Sequence, residues 1–211
     1  MTSRRTFSLP LSLAMLACAL ATTAAAQTVT VTGVVETAGP SICLDGTHVL
    51  ECTSVRLKSD VVDLDAFLGQ NVRLVGEQTA PCPVITVEQV FPFPLATLVA
   101  CGAPTPGCPM RFRVGPAAVS QFLLFASGTP GYAPAGPVKG TWLLGAPVVL
   151  VASGSLDPVD VVIPDDPAVI GLSVWLQAAR RDIGPIGPWT LSNAVCFTIT
   201  GPSPPCFSLD C

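Results

Sequence analysis

Hydrophobic and polar residues alternate over short stretches along most of the chain, which is the pattern of half-buried β-strands. The stretch "TVTVTGVVE" at 28–36 is the clearest example, and Gly33 interrupts it as expected where a strand bends or bulges. Four more strands are predicted at 41–50, "SVRLKS", "NVRLVGE" and "PVITVEQV". The amino-terminal part therefore contains five predicted strands.

The period changes once in this part, within "SDVVDLDAFLGQ". Its apolar residues Leu64, Phe67 and Leu68 are spaced i, i+3 and i+4, which predicts one short helix. Asp60 is positioned to cap the start of this helix, and Gly69 suits a left-handed residue at its end. The predicted order is three strands, a helix and two strands.

This order of elements resembles the OB-fold, a small five-stranded barrel, over 27–91. The phrase "DLDAFLGQNVRLVGE…ITVEQV" is similar to the helix and last two strands of such a module. The resemblance implies a surface for oligonucleotides or sugars. However, between 28 and 90 Phe67 is the only aromatic residue, and eight acidic residues outnumber three basic ones. Because single-strand binding needs stacking platforms and positive charge, we expect no nucleic-acid binding and favour a spacer or protein-contact role for this module.

A proline-stiffened join at 92–96 leads to further short strands over 97–200, separated by clusters such as "GTPGYAPAGP". Many short strands without a helical period predict an antiparallel β-sandwich. From Ile170 to Ala179 the alternation is strict, and it predicts one long strand. Asp165 and Asp166 lie between two prolines, so we interpret them as a corner whose carboxylates bond nearby backbone N–H groups. The predicted fold class is mainly β, with a small OB-like barrel followed by a sandwich and an 11-residue cysteine-containing tail at 201–211.

The carboxy-terminal half also resembles a known module. The set "GTWLLG…ASGSLDPVDVVIPDDPAVIGLSVWLQAA…LSNAVCFTI" is similar to a planctomycete-type β-sandwich found at the ends of large exported bacterial proteins. The matching residues are Ile163, Pro164, Asp166, Pro167, Gly171, Leu172, Gln177, Leu191, Ser192 and Asn193. Asp165 stands where that module usually has asparagine. The resemblance implies a fold and an exported location, without an activity.

Residues 1–26 have the features of an export signal. Arg4 and Arg5 precede an apolar run, and Ala24–Ala26 provide small residues for cleavage. The sequence leaves open whether export uses the general or the twin-arginine route. Removing both arginines leaves 8 basic and 14 acidic residues, a net charge of −6. We therefore expect an exported protein in the periplasm, on the cell surface or outside the cell, with no attraction to nucleic acid and no membrane span.

Eight cysteines remain after the signal, and an even number in an exported chain predicts disulfides. They are Cys43, Cys52, Cys82, Cys101, Cys108, Cys196, Cys206 and Cys211. The sequence leaves their connectivity open, although the local pairs Cys43–Cys52 and Cys206–Cys211 are plausible. Zinc is disfavoured because the chain has no C-x-x-C cluster and only one histidine.

Candidate ligand-binding residues lie on the last two predicted strands. They are Trp175, Gln177 and Asn193, with Trp142 and Trp189 as further aromatic platforms for a sugar. Gln177 and Asn193 have the alternative role of satisfying backbone groups inside the sandwich. The carboxylates Asp157, Asp160, Asp165 and Asp166 are candidate ligands for calcium, the one cofactor we consider.

No catalytic motif accompanies these candidates. His48 lies near Asp45, but the chain has no G-x-S-x-G elbow and no H-E-x-x-H. We expect His48 to be solvated at a turn or strand edge. The first hypothesis is a non-catalytic, disulfide-stabilised protein with a structural or protein-contact role in the cell envelope. The alternatives are a carbohydrate- or calcium-binding module and, third, a hydrolase.

Overall fold

The computed structural model describes residues 26–40, 45–79, 84–93, 96–115, 119–134, 138–155, 158–182, 188–201 and 206. This part of the chain is mainly β, with fourteen strands and two short 3-10 turns. No helix within it is long and apolar enough to cross a bilayer. The mainly β class predicted from the alternation is confirmed.

The first five strands form a closed barrel in the order β1-β2-β3-β5-β4. Their bounds are β1 (Gln27–Thr37), β2 (His48–Leu50), β3 (Arg56–Lys58), β4 (Asn71–Thr79) and β5 (Val84–Pro92). Strand β1 pairs with both β2 and β4, which closes the sheet on itself. Alternate residues such as Val31, Leu57 and Leu74 fill the interior, as the period of two predicts.

The predicted helix at 60–69 is wrong, because only Asp65–Phe67 form a single 3-10 turn. The side chain of Ser59, rather than Asp60, accepts the N–H groups of Val61 and Val62. Leu68 is extended and bridges to Val35 of β1. Pairing with the barrel therefore replaces the second helical turn.

The remaining strands form two main sheets and a hairpin. The four-stranded sheet contains β8 (Val119–Ser127), β11 (Val148–Gly154), β13 (Ser173–Asp182) and β14 (Trp189–Thr198), in the order β11-β8-β13-β14. The three-stranded sheet contains β6 (Thr97–Cys101), β7 (Pro109–Gly115) and β12 (Val159–Val162). The hairpin contains β9 (Pro130–Pro134) and β10 (Thr141–Leu144). The main sheets bury one core between them, centred on Phe112, Leu124 and Leu176.

The predicted alternation from Ile170 is correct in period but wrong in its start. Strand β13 begins at Ser173, and Ile170 and Leu172 are exposed ahead of it. From Val174 the pattern holds, because Leu176 and Ala178 point into the sandwich core. The three residues before Ser173 follow the second 3-10 turn, Pro167–Val169, and are not part of the strand.

Strand β10 links the barrel to the sandwich through a reciprocal pair of hydrogen bonds. The backbone N–H of Thr32 donates to Thr141 Oγ1 at 2.9 Å, and the backbone N–H of Thr141 donates to Thr32 Oγ1 at 3.0 Å. Both threonines are buried. The outer face of β1 is therefore a contact surface for the carboxy-terminal half.

Disulfides staple distant parts of the chain, and both local pairings suggested above are wrong. Cys52 bonds Cys196 across 144 residues, and Cys108 bonds Cys206 across 98. Cys101 is also disulfide-bonded, whereas positions 43, 82 and 211 lie outside the described residues. Cys52 adopts a left-handed φ of 59°, which is uncommon for a residue with a side chain. This turn after β2 brings the barrel to β14.

Candidate functional site

An open cavity lies on the face of the four-stranded sheet that points away from the sandwich core. Its floor is a row of three cross-strand neighbours, Leu123, Ala179 and Leu191, from β8, β13 and β14. These residues are small or aliphatic and their backbones are paired within the sheet. The floor therefore presents only apolar side chains to the cavity.

Hairpin β9–β10 forms one wall of this cavity and supplies Ala133 and Trp142. The Trp142 ring meets Phe125 edge to face, with centroids 5.2 Å apart and planes at 65°. Trp189, the first residue of β14, lies at the other side of the floor. The cavity measures about 530 Å³, within the usual size range of small-molecule sites. We call it the aromatic groove, and its lining residues are Leu123, Phe125, Ala133, Val138, Trp142, Ala179, Trp189 and Leu191.

A more polar cavity of about 410 Å³ adjoins the aromatic groove and shares Leu123 and Trp189 with it. Gln121, Ser153 and Ser155 line this second cavity together with Phe122 and Gly154. Gln121, Ser153 and Ser155 are exposed and have no role in the core. We call this cavity the polar end. Trp189 thus stands between an aromatic surface and a set of uncharged hydrogen-bonding groups.

The backbone edges beside the aromatic groove are already hydrogen-bonded. The Gln177 side chain accepts from the backbone N–H of Leu143 at 2.9 Å and donates to the carbonyl of Thr141 at 2.8 Å. On the other side, Lys139 bonds the backbone of β14 through Trp189 O and Leu191 N. Neither wall therefore offers a free strand edge at these positions.

Gln177 itself is completely buried, and its amide also donates to the carbonyl of Ser192 at 2.8 Å. Asn193 is buried too, and its Oδ1 accepts from the backbone N–H of Leu98 on β6 at 2.8 Å. The two amides thus bond different strands rather than facing one cavity. This is the backbone-satisfying role named above as the alternative to ligand binding.

Trp175 lies on β13 opposite Ser127 of β8 and Cys196 of β14. It is half-buried, and it lines neither the aromatic groove nor the polar end. Trp175 is therefore not part of the surface that Trp142 and Trp189 line.

The candidate calcium ligands have other partners or lie apart. Asp160 forms a bidentate ion pair with Arg111, at 2.8 and 3.0 Å, and this hydrogen-bonded guanidinium lowers the pKa of the Asp160 carboxyl. Asp166 caps the second 3-10 turn by accepting from Ala168 N at 2.9 Å, and Asp165 is exposed beside it. The corner interpretation is therefore confirmed for Asp166. Position 157 lies outside the described residues. Within the described residues, no three His, Cys, Asp or Glu side chains are close enough together to hold a metal ion.

His48 is buried, so the expectation of a solvated histidine is wrong. Its Nε2 contacts Asp65 Oδ1 at 3.0 Å and its Nδ1 contacts Thr47 Oγ1 at 2.8 Å. The carboxylate partner is thus Asp65 of the 3-10 turn rather than Asp45, which contacts Lys58. A hydroxyl, an imidazole and a carboxylate in line resemble a catalytic triad. However, these three residues line neither cavity described above. We interpret them as a hydrogen-bonded link between β2 and the 3-10 turn.

One carboxyl at the junction of the two halves is electrostatically unusual. Burial raises the pKa of Glu51, the nearby Glu36 carboxylate raises it further, and a hydrogen bond from Asn193 partly offsets both. Glu51 directly precedes the disulfide-bonded Cys52. The protonation of Glu51 therefore makes stability at the contact between the barrel and the sandwich depend on pH.

Sequence reasoning identified Trp142 and Trp189 as platforms, but it had no means of placing them in one groove. Forty-six positions separate them along the chain. It missed Gln121, Ser153 and Ser155, because uncharged exposed residues on strands or just after them have no sequence pattern of their own. The periodicity of β8 does place Leu123 of the floor on the same face as Phe125.

Comparison with known proteins gives no match to a family model, to a curated protein or to a solved structure. The two family resemblances described above therefore stay predictions.

Proposed function

We propose that the protein is an exported, non-catalytic ligand-binding protein whose binding site is the aromatic groove. The observation behind this proposal is the meeting of Trp142, Phe125 and Trp189 around a cavity of about 530 Å³. Ligand sites are typically concave and apolar, with a few polar groups that fix orientation. The polar end, with Gln121 and two serines, provides such groups.

Export is supported by the disulfides and by the amino-terminal sequence. Cys52–Cys196 and Cys108–Cys206 require an oxidising compartment to form and persist. An exported binding protein also benefits from such cross-links, since no cellular system repairs it outside the cell.

A role without chemistry is supported by the lining of the groove. None of the described residues that line the aromatic groove or the polar end carries an ionisable side chain. General acid–base catalysis needs such a group within hydrogen-bond reach of the substrate. The one triad-like set, at His48, belongs to the barrel and contacts neither cavity.

The proposal is tested with the mature, oxidised protein and a panel of soluble ligands. Neutral oligosaccharides, an extended peptide and an apolar fluorescent dye are each titrated while tryptophan fluorescence is recorded, with and without calcium. We expect at least one class to bind and to lose binding when Trp142 and Trp189 are both replaced by alanine. Binding that is unaffected by the double replacement, or absent for all classes, contradicts the proposal. A strict requirement for calcium favours the calcium-binding alternative.

A structural or protein-contact role in the cell envelope is the second candidate. It is supported by strand β11, at the end of the four-stranded sheet, where Val149 and Leu150 are 57% and 56% exposed. Exposed apolar residues on a terminal strand invite pairing with another protein. Crosslinking in the cell envelope tests this role: replacement of both residues by lysine removes specific crosslinks if β11 is the contact, whereas alanine replacement of the groove tryptophans leaves them.

A further inference from the structure

The aromatic groove and the polar end form one continuous surface of mixed character. They meet at Leu123 and Trp189, so a ligand seated on Trp189 contacts aromatic carbon on one side and amide or hydroxyl groups on the other. The ligand must therefore have an apolar face and a set of hydroxyl or amide groups within the same small unit.

The described residues that line the two cavities carry no charged side chain, and Arg181, the cross-strand neighbour of Gln121 and Trp189, has an interaction of its own. The described residues of both cavities are apolar, or they are Gln121, Ser153 and Ser155. An anionic or cationic ligand would gain no ion pair from these lining residues in return for its lost hydration, which is costly. A neutral ligand has no such penalty.

The backbone around the groove disfavours a peptide. A peptide that adds a strand needs a free edge of N–H and carbonyl groups. Lys139 occupies the edge of β14 at Trp189 and Leu191, and Gln177 occupies the edge of β10 at Thr141 and Leu143. Among the described lining residues, ring faces and side-chain hydroxyl or amide groups remain for recognition.

We propose that the ligand of this combined site is a neutral glycan, with one sugar ring stacked on Trp189 and its hydroxyl groups bonded by Gln121, Ser153 and Ser155. A pyranose ring fits these requirements because its C–H groups form an apolar face and its hydroxyls project from the rim. The aromatic groove beyond Trp189 then receives a second unit of the chain against Trp142. This inference rests on the proposed function of the groove and specifies its ligand class.

The test uses the full mature protein in its oxidised form and an array of neutral and acidic oligosaccharides, followed by calorimetry on the glycans that bind. We expect neutral glycans to bind, and Trp189→Ala to weaken binding by about tenfold or more, as for a central aromatic contact. The double variant Gln121→Ala/Ser153→Ala should weaken binding by roughly three- to tenfold, through lost hydrogen bonds. Trp175→Ala is the matched control and should leave affinity within about twofold, since Trp175 lines neither cavity.

Thermal unfolding of each variant separates lost binding from lost folding. If Trp189→Ala lowers stability, Trp189→Phe should keep the fold and much of the binding, because a smaller ring still stacks. The glycan inference is overturned if no neutral glycan binds, or if Trp189→Ala and Trp175→Ala have equal effects. If the apolar dye or the peptide binds and the groove variants abolish that binding, the glycan inference fails while the proposed function stands. If no probe of any class binds, both fail.

Discussion

At the scale of single residues, buried polar side chains connect the strands of this protein to one another. Gln177 completes three backbone hydrogen bonds between β10, β13 and β14. Thr32 and Thr141 satisfy each other's backbone N–H groups between the two halves. Such groups are costly to leave unpaired in an interior. They therefore fix which strands adjoin, in addition to the apolar burial that favours any compact arrangement.

Gln177→Leu should lower the free energy of unfolding by about 3 kcal/mol or more, because it leaves a buried N–H and two buried carbonyls without partners. Denaturant unfolding measures this change. Gln89→Leu, at an exposed position of β5, is the control and should alter stability by less than about 0.5 kcal/mol. Equal effects of the two replacements would show that the network is not stabilising.

Because of Glu51, the free energy of unfolding should decrease as pH rises just above the ordinary pKa of a glutamate carboxyl. Burial and Glu36 raise its pKa in the folded state, so the folded protein holds this proton more tightly than the unfolded chain. The contribution is complete below the unfolded pKa near 4.5 and is lost as pH rises through the raised folded value.

Glu51→Gln should remove this dependence and stabilise the protein relative to wild type above that window. Unfolding free energies measured between pH 4 and 8 test the prediction, with Glu88→Gln, at an exposed position of β5, as the control for the loss of one charge. An unchanged pH profile in Glu51→Gln would contradict the assigned cause.

At the scale of elements, the sequence predicts strands well and helices poorly in this chain. The alternation in "NVRLVGE" and "PVITVEQV" corresponds to β4 and β5, because one face of each strand lines the barrel interior. The helical spacing of Leu64, Phe67 and Leu68 is real but too short to outweigh pairing of Leu68 with β1. Isolated short helices are marginal, so tertiary contacts decide such segments.

Gly76 marks a place where an element depends on the absence of a side chain. It lies at the register shift between β4 and β5, and a Cβ there would overlap the backbone carbonyl of Thr86. Gly76→Ala should therefore destabilise the barrel by roughly 1–3 kcal/mol. Gly128→Ala, where an added Cβ meets nothing within 4 Å, is the control. Comparable melting temperatures for the two variants would contradict the predicted overlap.

At the scale of the whole molecule, the two halves are joined by a covalent bond and a hydrogen-bonded threonine pair. The Cys52–Cys196 disulfide connects the turn after β2 to β14. Thr32 of β1 and Thr141 of β10 form the hydrogen-bonded link. The aromatic groove thereby lies on a β-framework that the Cys52–Cys196 and Cys108–Cys206 disulfides cross-link.

Replacing Cys52 and Cys196 together by serine should cost about 2–5 kcal/mol of stability, as expected for a cross-link that closes a long loop. Hydrogen exchange at the amides of Thr32 and Thr141 should accelerate at the same time, since the disulfide holds their two halves together. The corresponding double replacement of Cys108 and Cys206 should lower global stability without selective acceleration at these two amides. Identical exchange patterns in both variants would argue against a specific joining role.

The sequence alone determined the strand-rich class, the interior face of strands such as β4 and β5, and the corner at Asp166. These features are local, because a period of two and a proline-bounded aspartate act within a few residues. It also indicated disulfides from the even number of cysteines, but it did not determine which cysteines pair.

Only the tertiary structure decided the partners of Cys52, the burial of His48 against Asp65 and the meeting of Trp142 with Trp189. Each of these contacts joins residues that are far apart in the sequence. A local pattern of hydrophobic and polar residues does not predict such contacts. The groove exists because β10 lies across the four-stranded sheet, and Gln177 holds it there with bonds to Leu143 and Thr141. A site made from the faces of several strands becomes visible only when those strands are packed.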